Sequence, residues 1–249
     1  MAIKVLHYDT NYCNSLPSIL DASDHLDRIL NGTKVLGQIA QVFLRHHVED
    51  TFGLTLLYNH IPVKNDRKLV RLANMATPWG VDVVDGAPAA VEATSFRFID
   101  GAIAPYEFTC GADQIPMESE EIQGFLSELL LLLKNRGIED FLGICALQDS
   151  TEPVVTEFTD GIAKLFLPVD LSSEAGNVEA MWHFSDSAKS GDYVLLTVND
   201  PILLAGLAKK ELDPKAPMVF GRCKRCCKID IVEFQHLHIG DTSVTNGHS

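Results

Sequence analysis

Four side chains near the C-terminus have the residue types of a metal site. Cys223 and Cys226 are separated by two residues, and His236 and His238 by one. Residues two apart on a strand point to the same side, so both imidazoles would face one ion. Two thiolates and two imidazoles suit tetrahedral zinc, although structural zinc sites favour a longer spacing between their histidines. We therefore expect a structural zinc clasp here, with zinc as the expected cofactor.

The same cysteines allow two other interpretations. Four cations flank them, namely Arg222, Lys224, Arg225 and Lys228. Neighbouring cations favour the thiolate form of cysteine, which would make these thiols redox-active. Alternatively, the two histidines belong to one half-buried strand face, and the thiols have no chemical role.

A second group of histidines and acids lies where a predicted helix leads into a predicted strand. His46 and Asp50 are four residues apart, which places them on one face of a helix predicted over Val35–Val48. The strand that follows would bring His60 back towards them. We expect His46 and His60 to act as metal ligands or bases, with Asp50 as the orienting carboxylate. The alternative is that His46 is exposed and His47 lies at the edge of the core.

Other candidates are single residues. Asp100, Glu107 and His183 lie in apolar surroundings in the sequence and could line a pocket. The chain has no nucleophile elbow, no Walker loop and no dinucleotide-binding fingerprint. A cysteine nucleophile paired with a histidine is a further possible interpretation, because the two residues of such a pair can be far apart in the sequence.

Composition narrows the classes of partner. Of the 249 residues, 46% are hydrophobic and 22% are charged, and the formal net charge is −14. So acidic a chain lacks the basic face that nucleic acids and anionic membranes require. The first 17 residues have no apolar signal region, and six cysteines suit a reducing compartment. We expect a cytoplasmic protein with a small-molecule partner.

The pattern of elements predicts an α+β fold. Asp100–Gly101 and Asp160–Gly161 each lie between strand-like runs, and Asp-Gly is a strong signal for a tight hairpin. At least two such hairpins imply an antiparallel or mixed sheet of six or more strands. Helices that would pack on the sheet are predicted near Val35–Val48, Ser119–Arg136 and Pro201–Leu212. We expect a single domain over residues 1–239, or else a boundary near 171–178, and a disordered polar tail over 240–249.

One segment resembles a known group of proteins. The run from Phe52 to His60, with the polar turn Lys64–Arg67, is similar to a segment of filamentous-fungal proteins that carries a His-x-His pair before an acidic turn. Tyr58 replaces the first histidine of that pair, and Lys64 and Arg67 replace acids. The resemblance implies a fungal-type cytosolic protein, and it assigns no activity.

These observations support two functional hypotheses. The first is a metal-dependent or His/carboxylate acid–base enzyme that acts on a small organic molecule, as in specialised metabolism. The second is a non-catalytic domain that binds a ligand or another protein, in which the histidines are incidental.

Overall fold

A computed structural model describes most of the chain up to residue 147 and four short segments beyond it. The described residues are 2–30, 34–59, 61–85, 90–147, 156–160, 162–167, 178–184 and 193–198. The helices among them are α1 (Thr10–Asn14), α2 (Ile19–Leu30), α3 (Lys34–Arg45), α4 (Val81–Asp85) and α5 (Glu120–Arg136). The strands are β1 (Phe52–Leu56), β2 (Arg67–Leu72), β3 (Met75–Gly80), β4 (Val91–Ile99), β5 (Ala102–Cys110), β6 (Leu142–Ala146), β7 (Thr156–Asp160), β8 (Ala163–Leu167), β9 (Val178–His183) and β10 (Tyr193–Val198).

The strands form one closed sheet in the order β1-β6-β4-β5-β2-β3-β8-β7-β10-β9, with β9 pairing back onto β1. Most neighbours are antiparallel, but β2 pairs with β5 and β7 pairs with β10 in parallel. The fold is therefore α+β with a mixed sheet, as the sequence predicts. No helix within the described ranges has the length and apolar character needed to cross a bilayer.

The turn between β4 and β5 follows from its two residues. Asp100 and Gly101 have φ values of 51° and 83°, and Ile99 lies opposite Ala102. A two-residue hairpin turn of type I′ requires positive φ at both positions, which Asp and Gly tolerate. The geometry of the other Asp-Gly pair stays a prediction, because Gly161 lies outside the described residues.

The outer face of the sheet is covered by α2, α3 and α5, whose apolar residues share one core with it. Helix α5 is the best defined by its ends. Ser119 caps its N-terminus by accepting a hydrogen bond from the backbone N–H of Ile122, and Gly137 ends it with a φ of 66°. Phe125 of this helix is fully buried against Phe43 of α3. Packing of these aromatic rings holds the helices on the sheet.

Helix α3 ends at Arg45, three residues before the end predicted from the sequence. His47 has a φ of 53°, its N–H donates to the Leu44 carbonyl, and the N–H of Val48 donates to the Phe43 carbonyl. These bonds form the Schellman motif that commonly ends helices, here with histidine where glycine is usual. Without a glycine as a stop signal, the apolar pattern through Val48 made the helix look longer than it is.

The inner face of the sheet has a separate core. Leu57, Leu69, Tyr106 and Phe166 pack there with Cys13 of α1, and no residue of α2, α3 or α5 belongs to this cluster in the part of the chain that is described. The segment that carries α1 is tied to the sheet by Arg97 of β4, whose Nη1 donates to the Tyr12 carbonyl at 2.7 Å. We infer that α1 lies against the interior of the closed sheet.

A substitution at Gly143 of β6 tests how tightly the strands pack. A Cβ at this position would collide with the backbone oxygen of Phe96 and lie 2.8 Å from Leu57 Cδ2. We expect Gly143→Ala to destabilise the fold by about 1–3 kcal/mol, because the backbone must shift. At Gly37 of α3 a Cβ meets nothing within 4 Å, so Gly37→Ala should stabilise by about 0.5–1 kcal/mol. Urea denaturation followed by circular dichroism measures both, and an unchanged Gly143→Ala midpoint would contradict this packing.

A candidate site inside the closed sheet

Five side chains form a continuous hydrogen-bonded chain, which begins at Tyr58, a member of the core shared with the helices, and ends at Ser95. The Tyr58 hydroxyl donates to Glu157 Oε1 at 3.0 Å, and Lys164 Nζ lies 3.1 Å from Glu157 Oε2. Lys164 Nζ also donates to Glu107 Oε1 at 2.7 Å, and the Ser95 hydroxyl donates to Glu107 Oε2 at 2.9 Å. We call these residues the interior cluster.

The strand registers bring these side chains together. Lys164 shares one face of β8 with the core residue Phe166, since they are two positions apart, and Glu157 of β7 lies opposite Phe166. Glu107 of β5 lies opposite Ser95 of β4. Strands β5 and β8 are separated by β2 and β3 in the sheet order. The contact between Lys164 and Glu107 therefore crosses the interior and does not join neighbouring strands.

Lys164 is buried yet held in its charged form. Its side chain is 2% exposed, that of Glu157 is 1% exposed, and that of Glu107 is 18% exposed. Burial by itself lowers the pKa of the Lys164 ammonium, but attraction to Glu107 and Glu157 outweighs it and raises the pKa above its ordinary value. A protonated lysine donates hydrogen bonds and cannot act as a nucleophile. Lys164 is therefore a fixed positive donor.

A second cation and an aromatic ring border the interior cluster. The Arg71 guanidinium carbon lies 4.1 Å from the centre of the Phe166 ring, and Lys164 Nζ lies 5.4 Å from it. Cations are attracted to the face of an aromatic ring. Both cations therefore lie beside the same ring at the border of the interior cluster.

Two buried thiols lie close enough to Glu107 for its charge to affect them. Burial, followed by the charge of Glu107, raises the pKa of both Cys13 and Cys145 to about 12. Only the thiolate is a nucleophile or a metal ligand, and at neutral pH almost none is present at such a pKa. This argues against either cysteine as a catalytic nucleophile.

The structure pairs His46 with a different carboxylate from the one predicted. His46 Nε2 lies 2.7 Å from Glu128 Oε2 of α5, and Arg45 pairs with the other oxygen of Glu128. Asp50 is exposed in the turn before β1. Because α3 ends at Arg45, His46 and Asp50 do not share a helix face. The contact joins α3 to α5 on the outside of the sheet, where Gly124 leaves room for the imidazole.

Because of this contact, we expect the free energy of unfolding to depend on pH in the acidic range. The hydrogen bond from His46, together with the charge of Arg45, lowers the pKa of Glu128 below its ordinary value of 4.5. A carboxylate with a lowered pKa stabilises the fold above its unfolded pKa, and the contribution is lost as pH falls through the folded pKa. We expect Glu128→Gln to remove part of the stability change below pH 4.5, measured as urea midpoints against pH. Because Glu128 is substantially exposed, added salt should weaken the effect, and an identical pH profile for the variant would contradict it.

The remaining predicted site residues lie outside the described part of the chain. They are the base or ligand His60 and the zinc ligands Cys223, Cys226, His236 and His238. Within the described ranges, no three His, Cys, Asp or Glu side chains are placed to hold a metal ion. The zinc clasp and the role of His60 stay predictions.

Of the three pocket candidates taken from the sequence, Glu107 belongs to the interior cluster. Asp100 lies in the β4–β5 turn, and His183 is half-buried on β9. Sequence reasoning missed Lys164 and Glu157 altogether. Lys164 could have been recognised from its position two residues before Phe166. This spacing places a charged side chain on the same strand face as a core aromatic residue.

Comparison of the chain with protein-family models, curated proteins and solved structures finds no match.

Proposed function

We propose that this chain binds a small organic molecule inside its closed sheet, at the interior cluster. The observation that carries the proposal is the ammonium of Lys164, 2% exposed and held between two glutamates. Removing such charges from water is expensive, and apolar residues of similar volume are often at least as stabilising. Buried charged groups with shifted pKa values are typical of ligand and catalytic sites. A role in binding gives these charges a use that stability alone does not.

The surroundings of the interior cluster favour the same proposal. Leu57, Leu69, Tyr106 and Phe166 are buried and pack together on the inner face. Sites for small organic molecules are mostly apolar and carry a few polar groups that orient the ligand. The inner face of this sheet has that composition.

Acid–base catalysis on the bound molecule is the second candidate function. It is favoured by Glu107, whose side chain is 18% exposed and is the most accessible charged group of the interior cluster. Its two oxygens accept from Lys164 and Ser95, and an ionised carboxylate can act as a general base. Glu107 would then be the base and Lys164 the donor that stabilises developing negative charge. This keeps the carboxylate chemistry expected from the sequence but moves it from Asp50 to Glu107.

Native mass spectrometry of the purified chain tests the proposal. We expect wild-type protein to carry, or to take up from a library of organic fragments, a small molecule that is released on denaturation. The neutral triple variant combines Glu107→Gln, Glu157→Gln and Lys164→Met. It keeps acceptors for Tyr58 and Ser95 but removes the three charges of the interior cluster, so it should lose the molecule. Lys64→Met removes an exposed lysine and should retain it.

The opposite results would overturn the proposal. One is a folded neutral triple variant that binds the same molecule as wild type. The other is a wild-type protein that carries nothing and takes up none of the fragments. Circular dichroism confirms that each variant is folded before binding is compared.

A further inference from the structure

Helix α1 is the centre of a segment whose own backbone cannot hold it in place. The helix has five residues, and the N–H groups of Tyr12, Ser15 and Leu16 donate to carbonyls no more than four residues away. Helices this short are marginal in water unless tertiary contacts support them. The position of residues 10–16, which we call the inner cover, therefore depends on contacts with the sheet and with the chain that follows β1.

Several of these contacts are hydrogen bonds made by partly exposed side chains. Asn14 binds both backbone groups of Val63: its Nδ2 donates to the Val63 carbonyl at 2.7 Å, and its Oδ1 accepts from the Val63 N–H at 2.9 Å. Arg97 Nη1 donates to the Tyr12 carbonyl at 2.7 Å and to Ser15 Oγ at 3.1 Å. Asn14 and Arg97 are both half-buried, so water can replace these hydrogen bonds when the segment moves.

Two apolar side chains attach the inner cover to the core. Cys13 and Leu16 are buried, and both pack in the same core as Phe166. The thiol of Cys13 also lies close enough to Glu107 and Lys164 for their charges to affect its pKa. The inner cover therefore lies beside the interior cluster. A segment held by little apolar surface and by partly exposed hydrogen bonds is of the kind that opens before the rest of a protein.

The two ends of the inner cover are fixed to the rest of the fold. Before it, the N–H of Leu6 donates to the Ile103 carbonyl of β5 at 2.8 Å. After it, the Pro17 carbonyl accepts from the Asn59 N–H at 2.7 Å, and Ile19 of α2 is buried in the core shared with the helices. A segment with fixed ends and a weakly held middle can move away from the core and return to the same place.

We propose that the inner cover opens and closes as a unit while the closed sheet stays folded, and that its opening uncovers the side of the interior cluster that Cys13 approaches. The motion is a property of the fold and goes beyond the proposed function, because it does not require that a ligand bind.

Two buried cysteines report on this motion within one chain. Cys13 of the inner cover is 0% exposed, and Cys145 of β6, a strand between β1 and β4, is 4% exposed. Burial raises the pKa of both thiols to about 12, so neither reacts appreciably until it is exposed. Labelling of the full chain with N-ethylmaleimide, quantified for each cysteine by peptide mass spectrometry, therefore compares opening of the inner cover with unfolding of the sheet.

We expect Cys13 to be labelled about tenfold faster than Cys145, or more, in native buffer. Low concentrations of urea should accelerate labelling of Cys145 but leave that of Cys13 nearly unchanged, because sensitivity to denaturant scales with the surface that an opening exposes. Equal rates, or the same urea dependence for the two cysteines, would overturn the proposal.

Ile39→Val distinguishes opening of the inner cover from unfolding of the whole chain. Ile39 is a fully buried residue of α3 in the core shared with the helices, and its contacts persist when only the inner cover opens. The variant should accelerate labelling of Cys145 about fivefold and leave that of Cys13 unchanged. Equal acceleration of both cysteines would mean that Cys13 is exposed only by global unfolding, and the proposal would be wrong.

Asn14→Ala is the complementary variant, because it removes the hydrogen bonds to Val63. These bonds are broken both when the inner cover opens and when the whole chain unfolds. Labelling of Cys13 and of Cys145 should therefore both accelerate about tenfold, and an unchanged rate for Cys13 would contradict the proposal. No ligand is added in these measurements, so their result does not depend on whether the interior cluster binds a small molecule.

Discussion

Replacing Lys164 with methionine is expected to lower the free energy of unfolding by about 3–5 kcal/mol. Methionine has a similar length but no charge, so Glu107 and Glu157 would be left buried without the ammonium that lies 2.7 Å and 3.1 Å from them. The hydrogen bonds from Tyr58 and Ser95 would offset only part of the cost of removing these two carboxylates from water. Urea denaturation followed by tryptophan fluorescence measures the loss.

The neutral triple variant is the matched control for this prediction. Once both glutamates are glutamines, neither carboxylate is left without the ammonium of Lys164, so most of the lost stability should return. Lys64→Met, at an exposed position, should change the free energy of unfolding by no more than about 0.5 kcal/mol. A single Lys164→Met variant as stable as the triple variant would show that the interior charges are not coupled as the structure places them.

The stability of wild type at high pH gives a further check on Lys164. Burial opposes the charged form, but its two glutamate partners raise the pKa of Lys164 above the ordinary 10.5. A raised pKa means that the folded chain holds this proton more tightly than the unfolded chain does. The contribution is therefore complete below pH 10.5 and is lost as pH rises through the folded pKa.

Phe125→Ala is expected to cost about 3–5 kcal/mol, the usual range for removing a buried aromatic ring. Phe125 is fully buried, and its ring centre lies 4.8 Å from that of Phe43 on α3 and 5.7 Å from that of Phe52 on β1. Truncation would leave a cavity where α5, α3 and the sheet meet. Thermal and urea unfolding of purified variants measure this loss.

Leu131→Ala on the same helix is the control for Phe125. Leu131 is 60% exposed, so its truncation should change the free energy of unfolding by about 0.5 kcal/mol or less. Equal costs for the two variants would contradict the packing of α5 described here.

Features that depend on residues a few positions apart were predictable from the sequence. The ends of α5 follow from Ser119 as a cap and Gly137 as a stop, and both have the expected geometry. The β4–β5 turn follows from the two residues that tolerate positive φ. The alternation of apolar and charged residues was enough to indicate an α+β fold. In each case the deciding interaction is made within one turn of the backbone.

The end of α3 was harder to predict because its signal is partly tertiary. The motif that stops the helix uses His47 in a conformation that favours glycine, and Val48 is buried in the same core as Phe43. Burial of Val48 helps the backbone to leave the helix at this point. Because the helix ends early, His46 and Asp50 do not share a helix face, and His46 contacts Glu128 of α5 instead.

Only the tertiary structure decided the interior cluster. Lys164 and Glu107 are 57 residues apart in the chain, and Tyr58 and Glu157 are 99 apart. Their contacts depend on the register of strands that are not neighbours and on closure of the sheet, which no local pattern encodes. The sequence by itself determined which residues could form helices, turns and strand faces. Closure of the sheet decided which charged side chains would meet in its interior, because burial forces each charge to find a partner wherever the fold brings one.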